Sequence, residues 1–101
     1  MLTILMSDEF DHWLSKLSDR RGQARIVARI RSAGLGNFGD VASVGGGVSE
    51  MRVHDGPGYR LYFTRRGETV FLLLVGGDKS GQRRDIERAK EMLARLDGKN
   101  E

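Results

Sequence analysis

The stretch Glu50-Met-Arg-Val-His-Asp-Gly-Pro-Gly-Tyr-Arg-Leu-Tyr-Phe-Thr64 decides how the rest of this chain must fold. Read with a period of two, it is two strands joined by a Gly-Pro-Gly loop. In the first strand Met51 and Val53 alternate with Glu50, Arg52 and His54. In the second, Leu61 and Phe63 alternate with Arg60, Tyr62 and Thr64. Successive side chains of a strand point to opposite faces, so each strand has an apolar face and a polar one. Pairing the strands with their apolar sets together puts Arg52, His54, Arg60 and Tyr62 on the opposite face. Two guanidiniums, an imidazole and a phenol on one sheet suit a phosphate-rich ligand. The same side chains equally describe an ordinary solvated sheet face.

An apolar sheet face must be covered, and the chain on either side supplies helices. Leu2 to Met6 reads as a short strand. Ser7 or Asp8 then caps a helix, with Asp8, Glu9 and Asp11 favourably placed at its N-terminus. Phe10, Trp13, Leu14 and Leu17 recur at i, i+3, i+4 and i+7, one apolar stripe. Trp13 lies within that stripe and is assigned to the core rather than to stacking on a base; His12 falls on the polar side. A second helix follows to about Ala33, with Ile26, Val27, Ile30 and Ala33 inward and Arg25 and Arg29 one turn apart outside. Gly34 and Gly36 suit its end. Helices so closely joined form an antiparallel hairpin.

Beyond the hairpin, Val41 to Val44 is a short strand, and Gly45-Gly-Gly a turn into the central pair. The triple glycine lacks the lysine and Ser/Thr of a phosphate loop. Val70 to Val75 is apolar at every position, as an interior strand requires, and Gly76 to Ser80 leads out of it. The last helix runs from about Arg83 to Leu96, with Ile86, Ala89, Leu93 and Leu96 inward and Glu91 paired to Arg95 outside. The predicted order is β-α-α-β-β-β-β-α, with the first strand at an edge of the sheet.

Length and composition bound the function. A chain of 101 residues, 39% apolar and 31% charged, suits one globular domain over residues 1–101. Without cysteine there is no disulfide or thiolate chemistry. The apolar start lacks a basic n-region and is not expected to be a signal peptide. The run from Val70 to Val75 is far too short to span a bilayer, so a cytoplasmic protein with no membrane partner is expected. Histidines and carboxylates form no cluster at ligand spacing, so neither a metal nor another cofactor is expected. Residues 20–66 hold nine arginines against Asp40, Glu50 and Asp55, a net of +6, while the rest of the chain is −3. Thirteen of the seventeen basic residues are arginine, the side chain best suited to bidentate phosphate contacts. A nucleic acid or another acidic partner is implied; plain solubility explains the same charge.

Three segments together carry a resemblance: Val48-Ser-Glu-Met-Arg-Val-His54, Gly56-Pro-Gly-Tyr-Arg-Leu-Tyr-Phe63 and Gly76-Gly-Asp-Lys-Ser80, with Leu35-Gly-Asn-Phe-Gly-Asp40 ahead of them. The chain resembles the RelE/ParE toxin superfamily, and within it the HigB-like addiction module killer branch related to phage Gp49-like proteins. The resemblance implies an α+β, RelE-like fold, an antiparallel β-sheet packed against an N-terminal helical hairpin and a C-terminal helix. It implies the toxin of a type II toxin–antitoxin system, a metal-independent endoribonuclease that cuts mRNA on the translating ribosome. It also implies a cognate antitoxin, of the helix-turn-helix, HigA-like kind.

Carried over residue by residue, Arg60 matches the arginine that such toxins place at the scissile phosphate. Arg52 falls near their catalytic lysines, and Lys79 near a basic residue that follows their last strand. The tyrosine or histidine often found in their C-terminal segment is absent between Gly81 and Leu96. Proton transfer then falls to His54 or Tyr62, or the chemistry relies on positioned cations. Arg25, Arg29, Arg65 and Arg66 are the expected contacts to RNA and ribosome. Two other classes remain: a ParE-type inhibitor of DNA gyrase, and a non-catalytic module whose arginines hold RNA or an acidic partner.

Overall fold

In a computed structural model describing residues 2–98, the elements follow the expected order. They are β1 (Thr3–Met6), α1 (Asp8–Lys16), α2 (Arg20–Gly34), β2 (Val41–Gly45), β3 (Val48–Val53), β4 (Tyr59–Arg66), β5 (Val70–Asp78) and α3 (Gln82–Leu96), with a 3₁₀ turn at Lys79–Gly81 before α3. The class is α+β. One sheet has the strand order β1-β5-β4-β3-β2. Tight turns join β2 through β5 and make their pairings antiparallel. No such turn ties β1 to β5, and that edge pair is parallel, from Thr3 opposite Val70 to Met6 opposite Leu73, so the sheet is mixed rather than antiparallel throughout as expected.

Helices cover both faces of the sheet. The α1/α2 hairpin brings Phe10, Leu14, Ile26, Ile30 and Ala33 onto Met51, Val53, Leu61, Phe63, Phe71 and Leu73. On the opposite face α3 lays Ala89 and Leu93 over Val48, Tyr62, Leu74 and Val75. A register shift supports this second core. Tyr62 opposes Val75 while Phe63 opposes Leu73, so Leu74 is an extra residue, and consecutive Leu74 and Val75 both join the α3 cluster.

Two polar side chains fix where the hairpin sits. Ser7 Oγ accepts from the Phe10 N–H at 2.9 Å, capping α1, and donates to the Leu74 carbonyl at 2.6 Å. Asp19 caps α2 by accepting from the Gly22 N–H at 3.0 Å, and its other oxygen accepts from the Tyr59 hydroxyl at 2.7 Å. Those two bonds, the Gly22 one foremost, hold the Asp19 carboxyl below the usual range. Burial, with Asp19 as acceptor, pushes the Tyr59 hydroxyl up to about 12. Gly22 is needed because a Cβ there would overlap the Tyr59 ring.

Three local expectations need correction. Val27 is 39% exposed rather than inward, because the buried stripe of α2 runs through Gly22, Ile26, Ile30 and Ala33, leaving Val27 off that line. Leu96 is likewise exposed, one turn past Leu93, the last buried residue of α3. Gly76 to Asp78 continue β5 instead of leaving it. The glycines let other groups approach the strand closely: the Trp13 ring lies against Gly76 and the Asp85 carboxylate against Gly77, where a Cβ would overlap either one.

Gly76→Ala is expected to displace Trp13 and destabilise the fold by about 1–3 kcal/mol, the usual range for overpacking. Urea unfolding followed by fluorescence of the sole tryptophan measures both effects, and an unchanged midpoint would contradict this packing.

Candidate functional site

Strand register builds the site. In the β3–β4 ladder Arg52 lies directly opposite Arg60, and Glu50 opposite Tyr62, so the four share one face of the sheet. That face was expected to be open. The structure instead closes α3 over its middle, leaving Tyr62 fully buried and Thr64 nearly so. The end nearest the Gly-Pro-Gly loop reaches the surface.

Glu50 is the centre of this arrangement, and its side chain is 1% exposed. Its Oε1 accepts from Arg52 Nε and Arg60 Nη1, both at 3.0 Å. Its Oε2 accepts from the Tyr62 hydroxyl at 3.0 Å and from Gln82 Nε2 at 2.9 Å. Burial by itself pushes the carboxyl up, but the bonds from Tyr62 and Gln82 and the Arg60 charge outweigh it and hold Glu50 below the ordinary range. Burial and the same contact push the Tyr62 hydroxyl well above the usual tyrosine value. Tyr62 therefore keeps its proton and spends it on Glu50.

At the open end, His54, Arg60 and Lys79 line one cleft with Asp55 and the Gly56-Pro57-Gly58 loop. They come from three segments: the residue after β3, the second position of β4, and the 3₁₀ turn after β5. Arg60 is only 15% exposed, and its buried Nε has no hydrogen-bond partner among the described residues. Arg52, opposite Arg60 in the ladder, is not among the residues that line this cleft. Besides Glu50, it reaches Asp40 Oδ1 through Nη1 at 3.2 Å, and its bond to Glu50 is the leading cause that raises its already high pKa.

His54 stands one residue beyond β3 and is 72% exposed, so strand alternation does not govern it. Its Nε2 lies 2.6 Å from Asp40 Oδ2. The His54 bond is the foremost cause that lowers the Asp40 pKa.

The other arginines separate. Arg29, expected on the outer side of α2, turns under the loop ahead of β2: Nη1 donates to the Arg52 carbonyl at 2.6 Å and Nη2 to the Phe38 carbonyl at 3.0 Å. Arg25 stays exposed and lines a second cleft with Arg29, Ser32, His54 and Asp55. Arg65 and Arg66 are at the other end of β4, about 17–20 Å from Arg60 by strand rise. Arg65 lies over the Phe38 ring at 5.1 Å, and Arg66 pairs with Asp97.

Sequence reading missed Glu50, Asp40 and Gln82. Glu50 did leave a signal, a lone carboxylate among arginines on a strand face, which calls for a partner. Asp40 and Gln82 left none, since both depend on elements distant in the chain.

Comparison with known proteins matches residues 12–95 to the family described as phage derived protein Gp49-like (DUF891). An uncharacterized protein of Haemophilus influenzae is 47% identical over 87 residues, covering 86% of this chain and 88% of its own length.

Removing Glu50 strands the largely buried Arg60 guanidinium and the buried Tyr62 hydroxyl, so Glu50→Ala is expected to cost about 3–5 kcal/mol of stability in urea. The depressed carboxyl also gives a pH signature. Its stabilisation is complete above the unfolded-state value, near 4.5, and is lost as pH falls through the lower folded-state value. Glu50→Gln should therefore lose less stability than the native chain as pH falls below about 4.5. Parallel acid-stability curves would contradict this.

Proposed function

The chain belongs to the phage-derived Gp49-like family, a RelE/toxin-like family associated with toxin–antitoxin systems, and from that premise we propose that it is a toxin that cleaves mRNA on the ribosome. One observation carries the reading: His54, Arg60 and Lys79 converge from three segments on one cleft. Such a toxin implies a cognate antitoxin, which we assign to the helix-turn-helix class. Its targets, translating ribosomes and their mRNA, put its action in the cytoplasm.

The chemistry needs a base, cations and an acid. The ribose 2′-oxygen attacks the adjacent phosphorus as its proton passes to the base, and the bond from phosphorus to the 5′-oxygen breaks. A 2′,3′-cyclic phosphate and, after protonation, a 5′-hydroxyl result. Arg60, held through one nitrogen by Glu50, meets the charge that develops on the phosphoryl oxygens. Lys79 brings three rotatable donors and no acceptor to the same cleft. Arg52 adds positive charge beside Arg60 and orders Glu50 and Asp40 through its bonds to them. His54 is the exposed imidazole assigned to take the 2′ proton. Tyr62 has no part in this scheme because its proton is committed inside the core.

A second reading, gyrase inhibition by binding without cleavage, draws on one observation. Glu50 and Asp40 together offset the charges of Arg52 and Arg60. Primer extension on cellular mRNA after brief induction separates the two, because cleavage leaves reading-frame-linked 5′ ends and gyrase poisoning does not.

Lys79 is exposed and makes no side-chain hydrogen bond among the described residues, so Lys79→Ala should unfold like the native protein while cutting more slowly. Arg60→Ala should lose about 10²–10³ in single-turnover cleavage, the scale seen when one preorganised donor is removed. Native cleavage by a folded Arg60→Ala protein would defeat the assignment.

A further inference from the structure

The proposed scheme leaves open how a surface imidazole is held ready to accept a proton. Asp40 answers this from geometry. It stands between the Leu35–Asp40 loop and β2, and its position is set from three sides. Its carbonyl accepts from the Arg52 N–H at 2.9 Å. Val41, next in the chain, pairs with Met51 across the β2–β3 ladder. Arg29 holds the Phe38 carbonyl beneath the loop, and Gly39 turns at φ +69° with no room for a Cβ against that guanidinium.

So anchored, the Asp40 carboxylate divides its two oxygens. Oδ1 takes Arg52 Nη1 at 3.2 Å and Oδ2 takes His54 Nε2 at 2.6 Å. An aspartate carboxylate is ionised at neutral pH and can only accept. His54 Nε2 must therefore carry the hydrogen of that bond. In a neutral imidazole this leaves the lone pair on Nδ1, the nitrogen that Asp40 does not engage, on a side chain lining the same cleft as Arg60 and Lys79.

We infer that Asp40 is a positioning residue that fixes His54 in its Nε2–H tautomer, so that Nδ1 receives the 2′-hydroxyl proton. The inference rests on the cleavage reading above and adds a residue outside the motifs matched to catalytic positions. The carboxylate also stabilises the imidazolium that forms on proton transfer. Its second bond, to Arg52, ties the base to the arginine pair, since Arg52 and Arg60 share Glu50 Oε1.

Two measurements on Asp40→Asn test this. The first needs no RNA: long-range proton–nitrogen NMR of the folded protein reads the His54 tautomer at a pH where the ring is neutral. The native protein should show the Nε2–H form, and Asp40→Asn a mixture. A native mixture, or the same tautomer in both proteins, overturns the inference. The second is single-turnover cleavage on ribosomes, where Asp40→Asn should be about 10–100-fold slower and Asp40→Glu should recover much of the loss. Equal rates for native and Asp40→Asn proteins overturn the inference while leaving the cleavage reading standing. A native protein that cuts no message overturns both. Thermal unfolding of each variant identifies any loss that comes from misfolding.

Discussion

A carboxylate out of reach of water has to be neutralised by its surroundings, and Glu50 imposes that requirement on much of this fold. Its two oxygens accept four bonds from β3, β4 and the first residue of α3. Desolvating one ion costs several kcal/mol even after relaxation, so the bonds are required rather than optional. They fix the start of α3, the buried phenol of Tyr62 and the two guanidiniums together. The arginines are therefore preorganised by the same contacts that close the second core. Stability and candidate chemistry share one set of atoms.

The second core also decides where chemistry can occur. A five-stranded sheet with a helical hairpin on one side and a helix on the other has little open face left. Exposed polar groups gather where the covering ends, at the β3–β4 loop and the turn after β5. Sites on such margins draw on several segments, each anchored in a strand or helix but reaching past it. This arrangement suits a ligand that is itself extended and threaded past the molecule.

Much of this was legible in the sequence. Period-two alternation gave β3 and β4 with Arg52 and Arg60 on one shared face, and the stripe from Phe10 to Leu17 gave α1 and its apolar side. What alternation does not contain is the fate of the polar face. Arginine, tyrosine and glutamate alternate identically on an open sheet and on one capped by a helix whose first residue, Gln82, completes their bonding. Tyr62 was therefore placed on an open surface that does not exist. Asp40 was invisible for another reason: its partners lie twelve and fourteen residues away, and only the β2–β3 register brings them together. The glycines at 76 and 77 looked like a strand end because glycine ordinarily weakens strands; here they admit Trp13 and Asp85 to the strand's two sides.

Arg25 and Arg29 occupy equivalent places one turn apart on α2, yet drift would treat them differently. Arg29 splints two carbonyls on separate segments with different nitrogens of one planar fork. A lysine there offers a single point of charge on a flexible stem and cannot reproduce that span, so even the mildest exchange opens the joint between loop and strand. Arg25 makes no such bridge and meets mostly solvent, where lysine serves as well. A helix that looks like a uniform run of positive charge is thus two materials, a fastener on one side and an exchangeable coating on the other.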